Sequence, residues 1–178
     1  MRRRGSSLGV LILVASTAAA VSAPWAEVRA SHDSPLREYG ELLPGSTLQV
    51  GLWWASSGWK IGRDRALPAA TGGAILIAAA KNEAEAVQLV VRPSRALKGL
   101  RIAAGPLAGP NGASMAAGSI EVLEVRYVNV TMPTDKTAVA GYWPDPLPPL
   151  TGPIDPEAGK NQPFWVRVQV PAEARAGL

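Results

Sequence analysis

Short apolar runs separated by glycine, proline and asparagine constrain the fold of this chain more than any other feature. The runs cover residues 47–54, 74–79, 85–91, 100–104, 120–132 and 163–170. Most of them have the length of strands, and turn-forming residues separate them at fairly regular intervals. This pattern favours antiparallel strands over βαβ units. We therefore predict an all-β fold, an antiparallel β-sandwich over residues 46–178 that is incomplete at its C-terminus.

The individual runs differ in how clearly they predict strands. In 163–170, Phe164, Val166 and Val168 alternate with polar or aromatic residues, as in a strand with one buried face. In 120–132 the apolar positions change parity twice, which indicates either a bulge or a strand covered on both faces. Residues 78–89 are rich in alanine and glutamate, so we predict two strands around a turn at Lys81–Asn82, with one helical turn as the alternative.

The N-terminus has the organisation of an export signal. Three arginines at positions 2–4 precede an uncharged run over 5–23 with an apolar centre, and Ala18-Ala19-Ala20 offers a cleavage site. We predict a signal peptide over residues 1–20, an irregular segment over 21–45, and a secreted or periplasmic location. A retained membrane anchor is the alternative, but the run is short and diluted by small residues, so we expect no permanent anchor.

Charge and composition exclude several classes of protein. The net charge is +4, but removal of residues 1–20 takes three of the 18 basic residues and leaves 15 against 14 acidic ones, so we expect no nucleic-acid partner. The chain has no cysteine, which excludes disulfides, thiolate metal sites and a cysteine nucleophile. Its one histidine, His32, leaves no second imidazole for a histidine-based zinc site. We expect no metal and no cofactor.

The stretch 131–162 is the first candidate region for function. It is long, rich in proline and without apolar periodicity, and connections of that kind are uncommon unless they have a role. Prolines stiffen such a loop, so Asp135, Tyr142, Trp143 and Asp145 could form a sugar contact or a packing surface. The alternative is that Trp143 and Leu147 fold back over the end of the core.

The adjacent tryptophans Trp53 and Trp54 are the second candidate. Neighbouring residues in a strand point to opposite faces, so we expect one of the two to lie outside the core, where it contacts either a sugar or another domain. The paired acidic residues Glu83/Glu85 and Glu121/Glu124 are expected on solvated sheet faces, with structural roles only.

Several stretches taken together resemble the N-terminal domain of glycoside hydrolase family 123 and its uncharacterised relatives. These are 50–54 (VGLWW), 59–64 (WKIGRD), 79–90 (AAKNEAEAVQLV), 125–128 (VRYV), 133–135 (PTD), 143–149 (WPDPLPP) and 161–171 (NQPFWVRVQVP). The resemblance implies a β-sandwich that precedes a (β/α)-barrel. In the family, the barrel carries a neighbouring Asp-Glu pair that cleaves β-linked N-acetylgalactosamine with help from the substrate's acetamido group.

The sequence given stops at Leu178, before any barrel, so no catalytic residue is carried over from the resemblance. We expect a truncated chain that acts as a non-catalytic accessory domain, with the barrel of its parent protein as partner. The alternative is a free-standing secreted carbohydrate-binding module whose partner is a glycan. The candidate contact residues for either role are Trp53, Trp54, Asp135, Tyr142, Trp143 and Asp145.

Overall fold

The computed structural model describes residues 39–109, 112–134 and 139–175, and over these ranges the chain is almost entirely strand and loop. The strands are β1 (Glu41–Leu42), β2 (Val50–Ser56), β3 (Ala84–Pro93), β4 (Leu107–Ala108), β5 (Ser114–Met115), β6 (Ile120–Glu124), β7 (Tyr127–Val130), β8 (Gly141–Pro144) and β9 (Gln162–Gln169). A 3-10 turn, Ala117–Ser119, directly precedes β6. The predicted all-β antiparallel class is confirmed.

The predicted signal peptide over residues 1–20 lies outside the described residues. Within the described ranges, no helix has the length and apolarity needed to cross a membrane. The segment 21–45, expected to be irregular, contains β1 near its end, where Glu41 pairs with Trp54 of β2. The ordered sheet therefore begins a few residues before position 46.

Five strands form the central sheet in the order β1-β2-β3-β9-β6, and every neighbouring pair is antiparallel. The middle of the sheet pairs β3 with β9 in a register that puts Leu89 opposite Phe164. Phe164, Val166 and Val168 are buried on one face, as the alternation predicted. Two short two-stranded sheets, β4–β5 and β7–β8, complete the described strands.

One face of the central sheet carries the main core. Its buried members are Leu43, Leu52, Ile75, Val87, Leu89, Val91, Leu100, Met115, Ile120, Phe164, Val166 and Val168. The opposing layer comes from irregular chain around Ile75 and Leu100, together with the small β4–β5 sheet. Within the described residues, a sheet and a mostly irregular layer thus take the positions that two sheets hold in a full sandwich.

The other face of the sheet carries a smaller aromatic core. Trp53, Ala55, Ile61 and Val90 are buried there, and Tyr39, Leu42 and Trp59 pack against them. Trp54, on the opposite side of β2, packs against the main core and donates its indole N–H to Glu41 Oε2 at 3.3 Å. The expectation that one of the adjacent tryptophans lies outside the core is wrong, because both faces of the sheet are covered.

Tyr39 closes the aromatic core between two flat groups. Its ring is parallel to Trp59, with centroids 4.4 Å apart, and the Arg65 guanidinium carbon lies 3.8 Å from the tyrosine centroid. Two groups that close to one centroid must occupy opposite faces of the ring. The guanidinium Nη2 also donates to the Tyr39 carbonyl oxygen at 2.8 Å, which fixes Arg65 in place.

Two predicted strands are absent. Residues 74–79 and 100–104 run as irregular chain, apart from an isolated bridge between Leu100 and Ile154. Their apolar side chains are nevertheless used, since Ile75 and Leu100 are buried in the main core. The turn at Lys81–Asn82 is present, with Asn82 at φ 60°, and the chain forms no helical turn there.

The long run over 120–132 is divided between two sheets. β6 ends at Glu124, Val125 is buried at the break, and β7 leaves the central sheet to pair with β8. The change of parity predicted a bulge or a doubly covered strand, and the structure instead changes sheet at this point. β8 lies inside the stretch 131–162 that was expected to lack regular structure.

Candidate functional site

An open cleft lies between the β7–β8 ribbon, the segment 60–65 and the segment 155–162. The cleft consists of two adjoining hollows, and Arg63 and Tyr142 line both of them. The first hollow has a volume of about 320 Å³ and reaches Glu157 and Lys160. The second has a volume of about 480 Å³ and reaches Lys60, Asp64 and Trp143. We call the two hollows together the Arg63–Tyr142 cleft.

The β7–β8 ribbon is anchored on the cleft side by Tyr127. Its hydroxyl donates to the Ile61 carbonyl oxygen at 3.0 Å, and burial raises the pKa of Tyr127 well above its ordinary value. Opposed residues of an antiparallel pair share a face, and Tyr142 is opposite Asn129, two positions beyond Tyr127. Tyr142 therefore lies on the same ribbon face as the anchor, towards the segment 60–65.

Asn161 holds the segment 60–65 in place from the start of β9. Its side-chain amide donates to the carbonyl oxygens of Gly62 (2.9 Å) and Arg65 (2.8 Å). Its backbone N–H donates to the Arg63 carbonyl oxygen at 2.8 Å. Asn161 is 2% exposed, so these bonds form away from water, where an unmade bond is costly. One buried amide thus fixes the backbone on both sides of Arg63.

Arg63 connects the ribbon to the opposite wall of the cleft. Its guanidinium carbon lies 5.0 Å from the centroid of the Tyr142 ring, within the range of a cation–π contact. Its Nη2 also lies 2.5 Å from Glu157 Oε1. Arg63 is held at two points, and Tyr142 is backed by a charged group that cannot move freely.

Cations and carboxylates alternate around the cleft in pairs. Lys160 pairs with Asp64, Arg126 with Glu124 at 3.0 Å, and Lys60 with Asp145 at 3.8 Å. The Lys160 hydrogen bond is the main reason that the pKa of Asp64 is lowered from its ordinary value. Such exposed pairs contribute little stability, but they leave the cleft with nearly balanced charge.

The carboxylates near the cleft have the electrostatics of structural groups. A glycosidase general acid needs a raised pKa and a partner carboxylate across the scissile bond. The pKa of Asp155 is lowered instead, first by the Gly99 backbone N–H and then by Lys98, which donate to its two oxygens at 2.8 and 2.9 Å. Asp64 and Asp155, whose pKa values are both lowered, therefore lack the raised pKa that a general acid needs.

The acidic residues expected on sheet faces are engaged locally. Glu121 pairs with Arg167, its cross-strand partner, at 2.6 Å. Glu83 accepts the Ala80 backbone N–H at 2.5 Å and so stabilises the turn before β3. The described residues contain no group of three acidic or histidine side chains placed to hold a metal ion.

The predicted contact residues fall in three places. Tyr142 lines both hollows of the cleft, half-buried Trp143 lines the second, and Asp145 pairs with Lys60 at its rim. Trp53 is buried in the aromatic core, Trp54 is partly buried against the main core, and Asp135 lies outside the described residues. Leu147, which the alternative placed over the end of the core together with Trp143, is 38% exposed.

Reasoning from sequence missed Arg63 and Asn161. Both lie in stretches that carry the family resemblance, 59–64 and 161–171, where the apolar and aromatic residues drew attention first. The charged triplet Arg63-Asp64-Arg65 follows Ile61-Gly62, and this change from apolar to charged residues could have indicated a polar turn at the surface. What the sequence could not indicate is that the start of β9 lies against this triplet.

Comparisons with known proteins add little to the geometry. No family model matches the sequence, and no curated protein matches it either. Among solved structures, a family 123 glycoside hydrolase from Clostridium perfringens, studied for glycolipid glycan hydrolysis, is similar with a TM-score of 0.47 and 16% identity. The match covers 55% of this chain and 17% of that protein, and at this level it does not establish a shared fold or function.

Proposed function

We propose that this chain is a non-catalytic β-domain of an exported glycoside hydrolase-like protein, and that it packs against a catalytic (β/α)-barrel of the same polypeptide. The parent is a β-N-acetylgalactosaminidase-type enzyme in this proposal. The family resemblance of the stretches between 50 and 171 supports the assignment, and the basic and apolar N-terminus supports export.

The observation that carries the proposal is the outer face of the β7–β8 ribbon. On the side away from Tyr127 the ribbon presents Val128 opposite Trp143, and the Trp143 indole donates to the Val139 carbonyl oxygen at 2.7 Å. Val128 is 43% exposed and Val139 65% exposed, and Met132, which follows β7, is 85% exposed. We call Val128, Met132, Val139 and Trp143 the outer ribbon face.

A two-stranded ribbon with an apolar outer face needs a cover. Two strands alone are marginally stable in water, and clustered exposed apolar side chains mark contacts with another protein surface. The cleft side of the ribbon is already packed through Tyr127, so the outer face is the side that is open to a neighbouring domain. The carboxylates around the cleft, each paired with a basic side chain, fit a supporting role in which the chemistry belongs to that neighbour.

The test begins with the DNA beyond codon 178. If the frame continues into barrel sequence, the longer protein and residues 21–178 are both expressed, and hydrogen exchange is compared over β7 and β8. We expect slower exchange in the longer protein, and hydrolysis of an aryl β-N-acetylgalactosaminide by the longer protein only. A Val128→Asp change in the longer protein should weaken the protection, whereas Leu76→Asp, at another exposed apolar site, should not.

Two results contradict the accessory role. One is a stop codon directly after Leu178 in a gene whose product folds and is exported. The other is equal exchange of the ribbon amides in the long and short proteins, since a covered outer ribbon face must protect them.

A further inference from the structure

The Arg63–Tyr142 cleft has the size and openness of a ligand site. Its hollows of about 320 and 480 Å³ meet at Tyr142, and each is within the range of roughly 300–1,000 Å³ found for ligand pockets. The cleft adjoins the aromatic core through Arg65, which lines the second hollow and lies over the rings of Tyr39 and Trp53. The accessory role proposed above uses the opposite side of the ribbon, and Trp143, which also lines the second hollow, is the residue that the two surfaces share.

Tyr142 provides a fixed aromatic surface in the cleft. Its side chain is 50% exposed, although it sits in the regular backbone of β8 with a cross-strand partner, Asn129. Arg63 backs the ring, and Glu157 holds Arg63. An aromatic ring that is both rigid and exposed loses little entropy when a flat ligand stacks on it.

The polar lining favours a neutral ligand over an anion. Each of the cations Lys60, Arg63, Arg126 and Lys160 is paired with a carboxylate. An anionic ligand would have to displace those carboxylates, whereas a hydroxyl can accept from the cation and donate to the carboxylate of one pair. Four such pairs around an aromatic ring match a polyhydroxylated molecule.

We propose that the Arg63–Tyr142 cleft binds a neutral glycan, with one sugar ring stacked on Tyr142 and its hydroxyls bonded by the Arg63–Glu157 and Lys160–Asp64 pairs. The two hollows on either side of Tyr142 take the neighbouring sugars of the same oligosaccharide. The site does not depend on a barrel, because every group it uses lies within the described residues.

The test uses residues 21–178 on a glycan array of neutral hexose and N-acetylhexosamine oligosaccharides, with heparin and hyaluronan as anionic probes. The neutral oligosaccharide with the strongest signal is then titrated by calorimetry. We expect Tyr142→Ala to weaken its binding about tenfold, and Tyr142→Phe to change it less than about threefold, because the ring is retained. Val128→Ser, on the outer ribbon face, is the matched control and should bind like the parent chain.

Arg63→Lys provides a second variant that keeps the charge. It loses the planar contact with Tyr142 and the fork that holds Glu157, so we expect at least threefold weaker binding with the thermal midpoint nearly unchanged. The proposal is overturned if no neutral glycan on the array binds, if heparin or hyaluronan is preferred, or if Tyr142→Ala binds as well as the Val128→Ser control. Thermal melts of all four variants establish that each is folded.

Discussion

Replacement of Asn161 by alanine is the sharpest test of how the cleft is built. The change removes two hydrogen bonds to the carbonyl oxygens of Gly62 and Arg65 and leaves the side-chain site empty. Each lost bond costs about 1–2 kcal/mol when the acceptor stays buried, so we expect a loss of about 2–4 kcal/mol in the free energy of unfolding. Among the described residues the Asn161 Oδ1 atom has no hydrogen-bond partner, so its removal adds no further loss.

Urea unfolding followed by tryptophan fluorescence measures this loss, with Gln169→Ala as the control. Gln169 is an amide side chain at the other end of β9, but it is exposed and makes only long contacts, at 3.3 and 3.5 Å. We expect the control to change stability by less than about 0.5 kcal/mol. If Asn161→Ala is equally neutral, the segment 60–65 is held by its own packing and the argument for an amide clamp is wrong.

Three further changes test other parts of the structure. Gly40→Ala should lower the free energy of unfolding by about 3 kcal/mol or more, because φ is +86° and a new Cβ would lie 2.7 Å from the Trp53 ring. Gly159→Ala, at φ +67° with open space around it, should cost only about 1 kcal/mol. The denaturant midpoints of the two variants test this difference. Tyr127→Phe removes the hydrogen bond to Ile61 and should lower the free energy of unfolding by about 1 kcal/mol at pH 7. The parent chain should lose this advantage as the pH rises above 10.0, because the raised pKa keeps Tyr127 protonated in the folded state while the unfolded state loses its proton. Urea unfolding of both proteins from pH 7 to 11 measures the change. Asp155→Asn should be less stable than the parent chain at neutral pH. The difference should shrink as the pH falls below 3.8, because the lowered pKa favours folding only while the carboxylate is ionised. Acid titration of the two proteins, followed by circular dichroism, checks this.

The strands that were predicted correctly are those whose own residues have a distinctive apolar pattern. β9 alternates apolar and polar residues, and β3 is a mainly apolar run between the Lys81–Asn82 turn and a proline, so both were predicted within two residues. Residues 74–79 and 100–104 have equally apolar sequences, but within the described residues their backbones pair with no neighbouring strand beyond the isolated Leu100–Ile154 bridge. Apolar composition therefore predicted the burial of Ile75 and Leu100 correctly, whereas Leu76 is exposed and neither run is a strand.

The candidate site was predictable only in its aromatic part. Tyr142 and Trp143 stand out in a proline-rich stretch, and both line the cleft. Arg63 reaches the same place through a long-range contact within the chain. Asn161, which directly precedes β9 and lies almost one hundred residues later, fixes its backbone. Pairings at that distance leave no periodic trace in a single sequence, which is why the polar half of the cleft emerged only from the structure.

The pairing of β3 with β9 also determines when this chain can fold. The centre of the sheet joins Val91 to Gln162, and the main core is incomplete until Phe164 and Val166 arrive from β9. Contacts between such distant residues slow folding, because a long loop must close before any of them forms. During synthesis, β2 and β3 leave the ribosome with the residues of the aromatic core, so one face of this strand pair can be covered early. The opposite face, which carries the main core, stays incomplete until almost the whole described chain has followed. The main core can therefore close only after β9 is available, which makes the arrival of β9 the last step in building the sheet.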